Sequence, residues 1–112
     1  MSKLKPKSGT VRRSSLNASS MSRHADEAAA LLKALAHPAR LRVLCRLVEG
    51  ECTVGELQKL VDLSLSALSQ HLAILREMEL VTTRRASQSI HYALAPGPAL
   101  EVMAALHRAY CE

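Results

Sequence analysis

The chain has 112 residues, of which 48% are hydrophobic and only 2% aromatic, with three cysteines and a formal net charge of +5. This length suits one domain, and the apolar content excludes disorder throughout; with no Phe or Trp, the core must be Leu, Ala, Val and Met, which favours helix packing. No apolar run approaches membrane-span length and no secretory hydrophobic segment is visible, so the expected setting is the cytoplasm, with no membrane partner and with cysteines as thiols by default.

The charge is unevenly spread. Lys3, Lys5, Lys7, Arg12, Arg13 and Arg23 fall in a stretch with no acid, and the remainder, holding all ten acids, is about neutral. The basicity of the whole chain is therefore no argument that its folded part binds nucleic acid; that must come from local placement. Residues 1–21 read as a disordered basic tail that adds phosphate attraction, and residues 22–112 as the folded domain.

From Ser22 the pattern is helical, with Ala28, Leu31, Leu32 and Leu35 on one stripe. His37-Pro38 ends this helix and starts the next, where Leu41, Leu44, Cys45 and Val48 share a face and Gly50 is the C-cap. Thr53 and Glu56 have capping-box spacing and open a short third helix containing Leu57, Leu60 and Val61. After a tight turn, Ser64 is the N-cap of a fourth helix that buries Leu68, Leu72 and Leu75 and ends near Glu79. Residues 81–85 and 89–94 read as two short strands joined by a tip at 86–88, the second alternating Ile90, Tyr92 and Leu94 with polar or small residues. After Pro96-Gly97-Pro98 a last helix runs to about Tyr110. The expected fold is mainly α with a small β-hairpin: about five helices plus a two-stranded wing, with a helix-turn-helix at its centre.

In the fourth helix Ser66, Ser69, Gln70 and His71 are small or forked polar groups near a helix N-terminus, where a recognition helix meets base edges. Arg84, Arg85 and Gln88 on the hairpin suit a wing beside the phosphates. Taken singly, these residues also fit a solvated polar helix and an ordinary charged hairpin; helix order and hairpin together favour double-stranded DNA. Enzyme motifs are missing: there is no C-x-x-C, H-E-x-x-H or G-x-S-x-G, and Ser69 and His71 face different ways.

The segments Leu35-Ala36-His37-Pro38-Ala39-Arg40-Leu41-Arg42, Glu56-Leu57, Leu68-Ser69-Gln70-His71-Leu72, Leu75-Arg76-Glu77, Leu80-Val81 and Ile90-His91-Tyr92 together resemble the ArsR/SmtB family of repressors over roughly residues 22–112. The resemblance implies a winged helix-turn-helix, a homodimer packed through its first and last helices, operator DNA as partner, and release from DNA by an inducer, commonly a metal ion. Metal-sensing members carry Cys-Val-Cys-Asp-Leu at the start of the third helix, or a His-x-x-His on the last; here Thr53-Val54-Gly55-Glu56-Leu57 and a single His107 stand there. Neither ligand set is complete, so no metal or other cofactor is expected. Cys45 and Cys111, with Leu-Val-Glu-Gly-Glu at 47–51, instead resemble the persulfide-responsive subgroup, which includes the biofilm growth-associated repressors. That resemblance makes Cys45 and Cys111 redox-sensing thiols, reactive sulfur species the inducer, and Cys52 a bystander. By its pattern alone Cys45 also fits a small buried hydrophobe, and a metal- or metalloid-responsive repressor remains the alternative.

Overall fold

The computed structural model describes residues 16–111; residues 1–15 of the expected tail lie outside it. Helix α1 (Ala18–Leu35) begins earlier than the pattern predicted, so residues 18–21 are helical rather than part of a tail. The cause is Asn17, whose Oδ1 accepts the Ser20 N–H at 3.2 Å and caps the helix. Along α1 only Ala34 and Leu35 are buried, whereas Leu32 of the expected stripe stays 57% exposed.

Helix α2 (Pro38–Val48) starts with Pro38 in its first turn, and His37 is the N-cap, its Nδ1 accepting the Ala39 N–H. Glu49 occupies the C-cap and Gly50 follows at φ +139°, a backbone setting that L side chains rarely adopt. The expected stripe of α2 is only part of the truth. Val43, Leu44 and Leu47 are its buried residues, while Leu41 and Cys45 are half-buried and Val48 is exposed on an adjoining face.

Three strands, rather than the expected two, form an antiparallel sheet. Strand β1 (Cys52–Thr53) pairs with β3 (Ser89–Leu94), which pairs with β2 (Val81–Ala86). A two-residue strand carries no readable alternation, and Thr53 belongs equally to the capping box of α3 (Val54–Leu60): its Oγ accepts the Glu56 N–H while Glu56 Oε1 accepts the Thr53 N–H. Cys52 faces Tyr92 across the ladder and is fully buried. Helix α4 (Leu65–Glu77) is capped by Ser64 Oγ, which accepts the Ala67 N–H. It closes with a hydrogen bond from the Leu80 N–H to the Leu75 carbonyl around Glu79 at φ +60°. The hairpin tip is two residues, with Ser87 at φ +56°. Helix α5 (Pro98–Cys111) packs back against α2.

Leu44, Leu57, Leu68, Leu72 and Leu75 fill the core where α2, α3 and α4 meet the sheet. The expected inward residues of α4 are thus the buried ones. Leu68→Ala should cost about 2–5 kcal/mol of unfolding free energy, as truncated core leucines do. Leu65→Ala, at a side chain 53% exposed, should change it by less than about 0.5 kcal/mol. Urea unfolding at fixed protein concentration checks both.

Candidate nucleic-acid interface and thiol pocket

Helices α3 and α4, joined by a turn in which the Leu63 N–H donates to the Val61 carbonyl, make a helix-turn-helix. Burial of Leu68, Leu72 and Leu75 turns the other side of α4 to solvent, and Ser66, Ser69 and Gln70 are all exposed there. Hydroxyls and a carboxamide on an unobstructed helix face can donate to and accept from base edges. His71 differs from its neighbours. It is half-buried, its Nδ1 accepts from Arg40 Nε at 3.2 Å, and its ring lies 4.4 Å from that of His37. Burial, then the proximity of His37 and Arg40, holds its pKa below the ordinary histidine range.

The wing arginines are not equivalent. Alternation along β2 sends them to opposite faces. Arg85 and Gln88 are exposed near the tip, but Arg84 forms a bidentate ion pair with Glu51: Nε to Oε2 at 2.8 Å and Nη2 to Oε1 at 2.8 Å. His91, beside Arg84 in the ladder, has its Nδ1 4.0 Å from the same carboxylate. Arg84, expected at the phosphates, is therefore occupied within the protein, tying the wing to the loop that follows α2. The sequence hinted at neither this pair nor the Arg40 contact, since the partners lie over thirty positions apart.

The three cysteines are thiols in three settings. Cys52 sits in the core, where burial pushes its pKa up and keeps it from the thiolate form. Cys45 is half-buried and Cys111 exposed. These two line the same apolar cavity of about 200 Å³ between α2 and α5, with Leu41, Val48, Met103 and Tyr110 among its walls and His107 on the same helix as Cys111. Among the described residues no group of three or more His, Cys, Asp or Glu side chains converges as a metal-binding set, and no helix is long and apolar enough to cross a membrane.

A helix-turn-helix with a wing and an exposed polar face on its second helix is the architecture of a DNA-binding regulator. Comparison with known proteins names the class. Residues 37–83 match the bacterial regulatory protein, arsR family. The chain is 43% identical over 97 residues to the transcriptional activator HlyU of Vibrio cholerae, covering 87% of this chain and 90% of that one. It is 46% identical over 91 residues to the biofilm growth-associated repressor of Agrobacterium fabrum, covering 81% and 78%. The crystal structure of the transcriptional repressor BigR from Xylella fastidiosa superposes with a TM-score of 0.80 at 41% identity, over 87% of this chain and 99% of that one. The chain belongs to the ArsR family and has its winged helix-turn-helix fold; it is a transcriptional regulator, not an enzyme.

The Arg84 guanidinium holds the Glu51 carboxyl below the ordinary glutamate range. A carboxylate with a lowered folded-state pKa adds stability that is present above its unfolded value and is lost as pH falls through the folded one. Glu51→Gln should therefore lose less stability between pH 5 and pH 3 than the parent protein; denaturant midpoints across that window check it.

Proposed function

We propose that this regulator is a repressor that binds operator DNA as a homodimer while Cys45 and Cys111 are thiols, and releases it when reactive sulfur species join them. The observation that carries the reading is the shared cavity: two unpaired cysteines from different helices line one apolar space. Ser66, Ser69 and Gln70 read base edges, with His71 beside them, while Arg85 and Gln88 approach the backbone and Arg84 steadies the wing. The site of action is the cytoplasm, where the DNA is.

Dimerisation is supported by α1 and α5. Helix α1 buries only its last turn, leaving Leu16 just before it and Met21 and Leu32 on it exposed, and Leu100 and Tyr110 are exposed on α5. Large apolar side chains on two long helices suit a partner protomer. A two-fold dimer must hold its recognition helices about 34 Å apart to meet successive major grooves.

The chemistry balances without a metal. One thiolate attacks the sulfane sulfur of a persulfide RSSH, forming a cysteine persulfide and releasing RS⁻. The second thiolate attacks the inner sulfur, closing a disulfide and expelling HS⁻. Two thiols lose two electrons, and the sulfane sulfur leaves reduced as hydrogen sulfide. Retention of further sulfur atoms gives a longer bridge. Either bridge pulls α2 against α5 and, through α2, shifts the two recognition helices relative to each other.

Fluorescence anisotropy on DNA from the gene's own upstream region, at stated salt, tests this. The reduced protein should bind tightly, lose the DNA on glutathione persulfide and regain it with reductant. Cys45→Ser and Cys111→Ser should bind normally and ignore persulfide, whereas Gln70→Ala should weaken binding about ten-fold or more with the response intact. A Cys45→Ser protein that still releases DNA overturns the two-thiol mechanism; release by zinc or arsenite instead points to a metal-responsive repressor.

A further inference from the structure

Arg40 has no part in the reading above, yet it joins three helices. Carried on α2, its Nη1 donates to the Ala34 carbonyl in the last turn of α1 at 3.1 Å, and its Nε donates to His71 Nδ1 on α4 at 3.2 Å. The side chain is half-buried, so these charge-assisted bonds are screened less than they would be in open water. Acceptance at Nδ1 has a chemical consequence. A ring nitrogen that accepts a hydrogen bond carries no proton, so neutral His71 must hold its proton on Nε2. The neighbouring His37 is fixed in the same way, because its Nδ1 accepts the Ala39 N–H at 3.1 Å. The two rings stand 4.4 Å apart, tilted by 60°.

We propose that Arg40 is the positioning residue of the recognition helix, locking His71 as a neutral Nε2–H donor toward DNA and tying that donor to the end of α1. The proposal rests on α4 being the helix that meets DNA. A neutral imidazole in one tautomer is a directional donor, suited to an acceptor on a purine edge. An imidazolium would be drawn to any phosphate and would lose the Arg40 bond, since both ring nitrogens would then be donors. The second bond, to Ala34, gives this donor a fixed bearing on α1. In the proposed dimer that bearing helps set the spacing between the two recognition helices.

Nitrogen-15 NMR of the imidazoles in the free, full-length protein tests the lock without DNA. His71 should show the Nε2–H tautomer at neutral pH, and Arg40→Gln should release it into a mixture. On operator DNA, Arg40→Gln should lose about ten-fold in affinity with an unchanged dependence on salt, because no phosphate contact is removed. Arg40→Lys, which keeps the charge but not the fork, should lose affinity similarly; its thermal unfolding reports whether the fold is intact. His71→Gln, whose amide nitrogen reaches the place of Nε2, should bind within about three-fold of the parent, and His71→Asn, which ends short of it, should lose about ten-fold. An Nδ1–H tautomer in the parent protein, unchanged operator affinity in Arg40→Gln, or a salt slope reduced by about one, marking Arg40 as a phosphate contact, would each overturn the proposal. If Ser69→Ala and Gln70→Ala leave operator affinity unchanged, it is the placement of α4 on DNA that fails, and the tautomer in the free protein still decides the Arg40 contact.

Discussion

The burial of α2 on nearly every side is the constraint from which the other elements take their places. Of its residues only Pro38, Arg42 and Val48 are exposed. One face sends Val43, Leu44 and Leu47 into the core, where each side chain removed from water contributes about 1.5–3 kcal/mol. The adjoining face lends Leu41, Cys45 and Val48 to the cavity under α5. Helix α2 also touches α1, α3, α4 and β3. Because packed interiors transmit displacement rather than absorb it, an element in contact with both the thiols and the helix-turn-helix cannot move for one without moving the other.

Electrostatics in this chain are local rather than global. The folded portion is close to neutral, and its most complete ion pair, Glu51 with Arg84, satisfies a wing arginine internally. An exposed pair of this kind adds little stability. Its importance is geometric: a rigid two-point contact orients the wing against the loop leaving α2. Arg85 stays exposed beside this pair, while orientation is built into hydrogen bonds at Arg40 and Arg84.

Much of this was legible in the sequence where a local rule governs. Capping at Thr53 and Ser64, Pro38 in a first turn, and the spacing of Leu68, Leu72 and Leu75 each depend on residues within one or two helical turns, and each element stands where they place it. The misses have the opposite character. Strand β1 exists only because β3 lies beside it, and two residues show no period. Val43 and Leu47 fall outside the one stripe that spacing suggests, because α2 is apolar round more than half its circumference and a second stripe adjoins the first. Glu51–Arg84 and Arg40–His71 unite positions far apart in the chain, and no periodicity reports them. The earlier start of α1 does have a local cause, the Asn17 cap. Among the site residues, those on the open face of α4 lie as their spacing implied, while Arg84 and His71 turned out to be engaged inside the protein.

The double duty of α2 bears on how such a regulator can change over generations. A substitution on its buried faces alters the pocket and the seat of the helix-turn-helix together, so under the proposed switch inducer and operator preferences cannot drift independently through this helix. Helix α5 has a different pair of duties: it walls the cavity and, in the proposed dimer, faces the partner protomer. Its Leu106, His107, Tyr110 and Cys111 line the cavity, and the helix makes no part of the helix-turn-helix. In the proposed switch, new chemical sensitivities are most accessible on its cavity side, while the central helices keep one grammar for DNA.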